Sequence, residues 1–378
     1  MKSIGFGLLL FVASCFLVVW NEGRTARTAA ALSQGEGAVV PVASDRLDPA
    51  REGALVHVAG AVTLAEAARD ADFNLASDAL VLVRKVEMFQ WKETPQSRSR
   101  NQPGGGADQA AAYLYQGEWS EAPIDSSRFR DAINHRNPPM PTTKSRVFVA
   151  RDARLGAFSL DERALKQLAA DNPLEPPATI LTEARARFGN FARIAAGVVQ
   201  NSLDPTNPSI GDVRVTWKIA TPASLSLVGR QTGAFITPWI ASNGEEVLRV
   251  EGGVLDARAM FQRGQDENSA LAWVMRFTAI IAMLLGFRLM MSWLVTIASF
   301  SSATENIVAG GAWLTAFVLT AIVAPLLIAI AWIAYRPLVA IVVLAAGGTA
   351  ALVAHRFVPV KNDAARTSGG RKLPGAAP

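Results

Sequence analysis

The sequence predicts an α+β external domain that is anchored in a membrane by four transmembrane helices, one N-terminal and three C-terminal. Half of the 378 residues are apolar and only 18% are charged, and the mean hydropathy is +0.22. The apolar residues are concentrated in one run near the start of the chain and in a longer region near its end. The polar block between them contains alternating patterns that are typical of strands.

Four segments are long and apolar enough to cross a bilayer. A hydrocarbon core of about 30 Å requires roughly 17–25 apolar residues in a helix, which satisfies its own backbone. We therefore expect helices near 3–20, 275–298, 309–333 and 337–354. The last two are separated by little more than Tyr335 and Arg336, so they should form an antiparallel hairpin that begins its second helix at Pro337.

The first apolar segment is compatible with a membrane anchor or with a cleaved signal. Lys2 supplies the charge of a signal peptide, and VASC at 12–15 resembles a lipoprotein cleavage box. The apolar run continues through 16–20, where a lipoprotein would become polar. This continuation favours an uncleaved anchor over 1–20.

Charges near the ends of the spans predict the orientation. The tail at 356–378 has five Lys and Arg residues against Asp363, so it should be cytoplasmic. These charges are either a simple stop signal or a contact with anionic membrane lipids. Four spans then place the large domain outside the cytoplasm, in a periplasmic or lumenal space. The abundance of Ala and Arg indicates a bacterial chain, and hence an inner membrane with a periplasmic domain.

The polar block divides into a linker and a domain. Residues 21–53 mix Ala, Gly, Arg and Ser without a period, which predicts a linker. The α+β domain is expected over 54–270, followed by three transmembrane helices in 271–355. Its strands, then helices, then further strands are typical of an α+β fold.

Alternating patterns predict strands at 55–62, 79–93 and 112–120 and at four segments within 210–253. The Gly-rich stretch 96–111 predicts a loop, so 79–93 and 112–120 should pair antiparallel. Residues 64–71 and 159–200 are expected to be helical, with Ser159 as an N-cap.

The sequence contains no signature of catalysis or of a cofactor. It lacks the HExxH, GxSxG, GxGxxG and P-loop patterns. Cys15 is the single cysteine, and His57, His135 and His355 are far apart, so we expect no metal site. The net charge of +5 is spread along the chain, which predicts no nucleic-acid partner.

The stretch VEMFQWKE at 86–93 ends a predicted strand with polar and aromatic residues. Alternation places Glu87, Trp91 and Glu93 on one face of the strand and Gln90 on the other. Paired carboxylates could perform acid–base chemistry. The stronger interpretation is an aromatic cluster in which Trp91 packs against a neighbour such as Tyr115 or Trp119, with polar ends that face water or a partner.

Two further sites each allow a functional and a structural interpretation. His135 and Asn137 precede Pro138, which predicts either a binding corner or a structural turn in which one of them caps backbone groups. Arg288 lies in the apolar run LLGFRLMM. It is either a functional cation at depth in the membrane or the interfacial end of a span.

The sequence resembles the LUMA family of four-span membrane proteins over about residues 50–358. The motifs that carry the resemblance are LVHVAG at 55–60, VEMFQWKE at 86–93, Tyr113, Tyr115, Trp119, IDSSRF at 124–129, His135, Asn137, Pro138, GDVRV at 211–215 with Asp212 and Arg214, and Gly229–Gln231. Residues 94–112 and 142–205 depart from the family pattern.

The resemblance implies a membrane-anchored organiser. Eukaryotic members are proteins of the inner nuclear membrane and endoplasmic reticulum that associate with emerin and lamins, and a bacterial member would meet other partners. We therefore expect a scaffold whose partners are membrane lipids, other membrane or periplasmic proteins and a second copy of the chain. A transporter or channel component is the alternative function, and a membrane-bound enzyme is a lesser one.

Overall fold

The structure is a computed structural model that describes residues 2–96, 112–294 and 302–335, together with positions 337 and 341. The chain forms two compact units. The first unit comprises Met1–Ala26 and Leu271–Pro378, and the second comprises Arg27–Ala270. The α-helices are α1 Lys2–Ala38, α2 Glu162–Leu165, α3 Leu181–Phe188, α4 Ala257–Met290 and α5 Ser302–Tyr335.

Among the described residues, three helical segments are long and apolar enough to cross a membrane: Ser3–Ala38, Ala257–Leu294 and Val308–Tyr335. The first three predicted spans are thus helical where the structure describes them. The fourth predicted span and the basic tail lie outside the described residues, apart from helical positions 337 and 341.

The predicted linker is wrong over its first half, because α1 continues to Ala38. This stretch has many good helix formers and no proline. Its Ala31 and Leu32 are buried with Phe261 in a core of the second unit. Burial of that face makes the helix more stable than the polar composition suggests.

Helices of the first unit pack closely. A Cβ on Gly7 would lie 2.9 Å from the main chain of Gly286, and a Cβ on Gly286 would lie 3.0 Å from Gly7. The absence of side chains at both positions lets α1 and α4 approach, as is common between membrane helices. Met283 and Phe287 of α4 form a buried cluster with Ala316 of α5.

The described residues of the second unit form 18 strands. They are β1 Val40–Pro41, β2 Leu55–Thr63, β3 Ala68–Asp70, β4 Leu75–Ser77, β5 Val81–Gln96, β6 Ala112–Ser120, β7 Arg146–Val149, β8 Arg154–Leu155, β9 Phe158–Ser159, β10 Asn172–Leu174, β11 Arg193–Ala195, β12 Val198–Gln200, β13 Val213–Ala220, β14 Ser224–Thr232, β15 Phe235–Thr237, β16 Trp239–Ile240, β17 Glu246–Val247 and β18 Arg249–Gly252.

Two seven-stranded sheets dominate this α+β domain. The first has the order β1-β2-β8-β9-β15-β14-β18, and a further pairing of β2 with β14 closes five of its strands into a ring. The second has the order β11-β12-β13-β5-β6, with β10 also paired to β13 and β7 to β5. The predicted antiparallel pairing of the two aromatic strands is confirmed, from Met88 opposite Ser120 to Gln96 opposite Ala112.

Strand β5 contributes to two cores, because successive side chains of a strand point to opposite faces. Val81 lies in a core with Leu227 of β14, whereas Leu82 lies in a second core with Trp217 of β13. Farther along β5 the first face opens to solvent, where Lys85 is exposed. This open face carries the candidate site.

Two predicted helices are wrong. Residues 68–77 form the β3–β4 hairpin, because the Asp70 carboxylate accepts hydrogen bonds from Arg84 and Trp217 and so holds β3 against the second sheet. The region 159–200 is mainly strands and turns, with only α2 and α3 as α-helices. Asp161, rather than Ser159, caps α2 by accepting from the Ala164 N–H at 2.7 Å.

Candidate functional site

The candidate site lies where β5 and β6 meet the segment 121–138, which we call the corner. Gln90 of β5 is 1% exposed and fixes the first part of the corner. Its Nε2 donates to the carbonyl of Ala122 at 3.0 Å, and its Oε1 accepts from the N–H of Ile124 at 2.9 Å. The buried side-chain amide of Gln90 thus satisfies main-chain groups of a loop that has no strand partner.

Asn137 fixes the other end of the corner. Its Oδ1 accepts from the Trp91 N–H at 2.6 Å, and its Nδ2 donates to the Trp91 carbonyl at 3.0 Å. On the same side of β5, the main chain of Phe89 pairs with the turn before β13 instead. Its N–H donates to the Asp212 carbonyl, and its carbonyl accepts from the Gly211 N–H. The side chain of Asn137 therefore continues the ladder beyond the start of β13, which is the structural role that the sequence offered as one alternative.

His135 packs between two aromatic rings. Its imidazole stacks on Tyr115 with ring centroids 3.7 Å apart, and it meets Trp91 edge-on at 4.9 Å. The His135 Nδ1 lies 3.2 Å from Asp131 Oδ2. Trp91 and Tyr115 are thus joined through His135, a contact that the sequence pattern did not reveal.

Glu93 holds the middle of the corner. Its Oε2 accepts from the Tyr115 hydroxyl and from the Arg130 N–H, both at 2.6 Å. Partial burial and the hydrogen bond to Glu93 raise the pKa of Tyr115, because both disfavour the phenolate. Hydrogen bonds from Asn134 hold the pKa of Asp131 below its usual value.

The second aromatic pair on this face is Phe89 with Trp119, whose ring centroids are 5.3 Å apart. The Phe89 ring lies over Gly117, where an added Cβ would come within 2.3 Å of it. The described ring contacts thus place Trp91 with His135 and Trp119 with Phe89. The expected packing of Trp91 directly against Tyr115 or Trp119 is replaced by two neighbouring pairs, and Trp91 is joined to Tyr115 through His135.

Glu87 lies beside the second pair and is buried. It forms ion pairs with Arg214 and Lys85, each at 2.8 Å, and the Arg214 guanidinium lies 4.5 Å from the Trp119 ring centroid. Burial alone would raise the pKa of Glu87, but hydrogen bonds from Arg214 and Lys85 outweigh it and lower the pKa. Glu87 is therefore a paired anion, which is poorly suited to act as a general acid at neutral pH.

Asp212 has a structural role at the edge of the same face. Its Oδ2 accepts from the Ser209 N–H at 2.7 Å, and its main-chain carbonyl accepts from the Phe89 N–H at 2.8 Å. Asp212 therefore closes the turn that leads into β13.

The tip of the corner is apolar and open to solvent. Ile133 is 92% exposed, although Asp131 and Asn134 on either side of it are joined by hydrogen bonds. The side chain of Arg128, five residues before Ile133, is 86% exposed. The corner thus combines a fixed backbone with a fully exposed isoleucine.

Arg288 lies in α4 of the first unit, and its guanidinium is 5.5 Å from the Trp313 ring centroid of α5. Its Nε is buried and has no hydrogen-bond partner among the described residues. The cation is therefore packed on an indole ring between two helices.

A second polar site in the first unit was not found from the sequence. Glu22 is 1% exposed and accepts from Arg276 Nε at 2.6 Å, Arg276 Nη2 at 2.9 Å and Trp332 Nε1 at 2.9 Å. These groups join α1, α4 and α5. The sequence carried one signal of this site: Glu22 follows the first apolar run directly, and Arg276 lies at the start of the second predicted span.

No cluster of three or more His, Cys, Asp or Glu residues that could hold a metal ion occurs in the part of the chain that the structure describes. His57 is 9% exposed, and its Nε2 lies 2.9 Å from the carbonyl of Leu255. Burial lowers the pKa of His57, because it disfavours the charged imidazolium. His57 therefore has a structural position within the domain.

The chain matches a family model described as Transmembrane protein 43 over residues 88–337. The chain belongs to the transmembrane protein 43 family. It is 30% identical to Transmembrane protein 43 of Homo sapiens over 372 residues, with 94% of this chain and 90% of the relative covered. The homolog of Drosophila melanogaster is 27% identical over 356 residues, with 91% and 92% covered. No solved structure matches.

Membership of the transmembrane protein 43 family confirms the resemblance to LUMA proteins, since the two names denote one family. The matched region begins within β5 and includes the corner, α4 and α5. The relatives named above are animal proteins, and the bacterial character of this chain stays a prediction.

Proposed function

We propose that this family member is a membrane-anchored scaffold that organises other proteins through its large domain and catalyses no reaction. Its partners are membrane lipids, other membrane or periplasmic proteins and a second copy of the chain, with no role for nucleic acid. The corner is the contact surface that we assign to it. The transporter or channel alternative rests on Arg288 alone.

The exposed tip of the corner carries the proposal. Hydrogen bonds of Gln90, Glu93 and Asn137 hold the segment in one conformation. Ile133 at its tip gains nothing for the fold, because 92% of it faces solvent. A fixed backbone that presents an apolar side chain lowers the entropy cost of binding another protein.

Photocrosslinking in intact membranes tests this role. A benzophenone amino acid at Ile133 should give discrete crosslinked protein products, because the side chain enters the contact. The same amino acid at Val254, which is 71% exposed in the same unit, is the matched control. An Asn137→Ala change should reduce the Ile133 products, since it releases the corner. Absence of products at Ile133, or equal products at both positions, would contradict the proposal.

We also propose four spans, a cytoplasmic tail and a large domain in the periplasm of a bacterial inner membrane. The alternating direction of the described helices supports this topology. Ser3 of α1 bonds to Ser292 after α4, and Asn21 bonds to Ala272, so these helices run antiparallel. Trp313 and Trp332 contact Arg288 and Glu22, which makes α5 antiparallel to α4.

Cysteine labelling tests the topology. In a Cys15→Ser background, an impermeant thiol reagent added outside should label Ser97→Cys and not Ser368→Cys. The opposite pattern would reverse the orientation, and labelling of both would mean that the tail is also outside.

A further inference from the structure

The outer edge of β7 is an open strand edge. β7 pairs with β5 on one side, from Val81 opposite Val149 to Arg84 opposite Arg146. The Ala150 N–H donates to the Leu80 carbonyl at 2.8 Å on that side. In an antiparallel ladder, the main-chain groups of successive residues point alternately toward and away from the neighbouring strand. Ala150 points toward β5, so Val149 and Val147 direct their N–H and C=O groups away from it.

The same edge is already used once within the chain. Arg151, the next outward residue, exchanges two backbone hydrogen bonds of 3.2 Å with Glu66. The outward backbone groups of Val147 and Val149 have no protein partner among residues 2–96, 112–294 and 302–335. The ladder that Glu66 begins is therefore left incomplete over these two residues.

A cleft of about 930 Å³ runs along this edge. One wall is the continuous stretch Arg146–Asp152, and the other includes Arg69 and Ala76 of the β3–β4 hairpin. Val147 is 42% exposed within it. The volume lies within the range of about 300–1,000 Å³ that is usual for binding clefts.

We propose that this cleft binds an extended segment of a partner protein, which adds to the second sheet as a further strand on β7. Strand addition needs a free edge with alternating donors and acceptors and a cleft for alternate side chains, and both are present. This surface is separate from the corner, and the inference does not rest on the role proposed for Ile133.

The charges of the cleft define the segment further. Arg146 lies at one end of the β7 wall, whereas at the other end Arg151 stands beside Asp152 and Glu162 is paired with Lys166. The complementary guest therefore has an acidic residue at the Arg146 end. Val147 contributes an apolar contact between the two ends. Because the edge is short and flanked by charge, it also resists indiscriminate pairing.

A proline substitution separates guest binding from folding. Val147→Pro removes an outward N–H and leaves the bonds to β5, since proline is tolerated on the free side of an edge strand. Val147→Ala is the matched control that keeps the N–H. The probe is a fluorescent peptide of sequence Asp-Val-Thr-Val-Thr-Val-Lys, with a version whose alternate amides are N-methylated and a version with the charged ends exchanged. Fluorescence anisotropy on the full chain in detergent measures binding.

Val147→Ala keeps the outward N–H and loses only the apolar contact of the side chain, so it should bind the peptide slightly more weakly than the full chain does. Val147→Pro should bind at least about fivefold more weakly than Val147→Ala, because a hydrogen bond between neutral groups is lost. The N-methylated peptide should fail to bind the unaltered chain, which tests the edge without any substitution. Equal binding by Val147→Pro and Val147→Ala, or no binding of the peptide in either order of charges, would overturn the inference.

Hydrogen exchange resolved to single amides gives an independent check. The amides of Val147 and Val149 should exchange quickly in the free chain, while that of Ala150 is protected. Protection of Val147 and Val149 that increases with protein concentration would show that a second copy occupies the edge. Protection at all concentrations would show that the edge is covered within the chain.

Discussion

A buried carboxylate is held by an arginine and an indole N–H in both units of the molecule, and the two groups are built differently. In the domain, Asp70 accepts from Arg84 Nη1 at 2.7 Å and from Trp217 Nε1 at 3.0 Å. Among the membrane helices, Glu22 accepts from Arg276 and Trp332 at 2.6–2.9 Å. The chemistry is the same, and the elements that supply it differ.

The difference shows what each group specifies. Arg84 and Trp217 face each other on paired strands of the second sheet, so the register of a core already brings them together. Glu22, Arg276 and Trp332 come from three helices that are distant in sequence. Lipid gives no hydrophobic force that selects between apolar helix faces. The Glu22 group therefore determines which helices meet and at what height.

A third carboxylate and arginine, Glu87 and Arg214, lie on the open face. There the indole of Trp119 contributes its ring face to the arginine instead of an N–H to the carboxylate. Arg288 with Trp313 is a fourth case, in which no carboxylate partner occurs among the described residues. From Asp70 through Glu22 and Glu87 to Arg288, the charged group is progressively less buried and has fewer hydrogen-bonded partners among the described residues.

The largest effect is expected from Arg84→Met. This change leaves Asp70 buried without its cation and should lower the free energy of unfolding by about 3–5 kcal/mol. Denaturant unfolding of the full chain in detergent, followed by near-ultraviolet circular dichroism, measures it. Arg187→Met is the control, because the Arg187 side chain is 33% exposed and bonds to Asp72 rather than to the buried Asp70. A similar loss in both variants would mean that burial does not decide the effect.

Glu22→Gln should have a smaller effect, about 1–3 kcal/mol, because the charge-assisted hydrogen bonds are lost while Arg276 can extend toward the interface. The reaction rate of the Cys15 thiol reports on opening of the helices, since Cys15 packs against the cluster of Met283 and Phe287. The variant should react faster than the parent chain, and Glu22→Gln with Arg276→Gln should recover part of the protection. A loss of stability as large as that in Arg84→Met would mean that the two buried carboxylates contribute equally.

Glu87 should contribute a modest dependence of stability on pH. Its pKa in the folded chain lies below its usual value, so its stabilising contribution is present above the unfolded pKa of about 4.3 and is lost as the pH falls through the folded pKa. Unfolding free energies measured from pH 7 down to about pH 3 should fall less steeply in Glu87→Gln than in the parent chain. Identical slopes would show that Arg214 and Lys85 do not stabilise the anion.

Arg288→Leu should have the smallest effect on stability, within about 0.5 kcal/mol or slightly favourable, because a cation at depth costs about 2.5–3.5 kcal/mol to insert. Membrane insertion, oligomer size and the Cys15 reaction rate should match those of the parent chain and of Arg288→Lys. Loss of assembly in Arg288→Leu with rescue by Arg288→Lys would instead favour a functional cation and the transporter alternative.

The sequence predicted the parts of the fold that depend on local pattern. Alternation identified β2, β5 and β6, and apolar length identified the described spans. It failed where a distant group decides the local structure. The β3–β4 hairpin depends on Arg84 and Trp217, and the second half of α1 depends on burial against Phe261. These partners are not visible in a local window.

The candidate site shows the same limit. VEMFQWKE indicated an aromatic, polar strand end. The residues before Pro138 predicted either a binding corner or a turn that caps backbone groups, and Asn137 does cap them. The stacking of His135 between Trp91 and Tyr115 requires the corner to fold back onto β5, which spacing does not show. Glu22 and Arg276 are separated by 254 positions, so their pairing emerges only with the helix packing.

The alternation of β5 between two cores has a consequence for how the domain folds. Val81 and Leu82 are adjacent in sequence and lie in different cores. A register slip of one residue in this strand would exchange the two sets of side chains and disrupt both cores at once. Neither core can therefore be completed before β5 is correctly paired, and the two cores should unfold in a single cooperative transition.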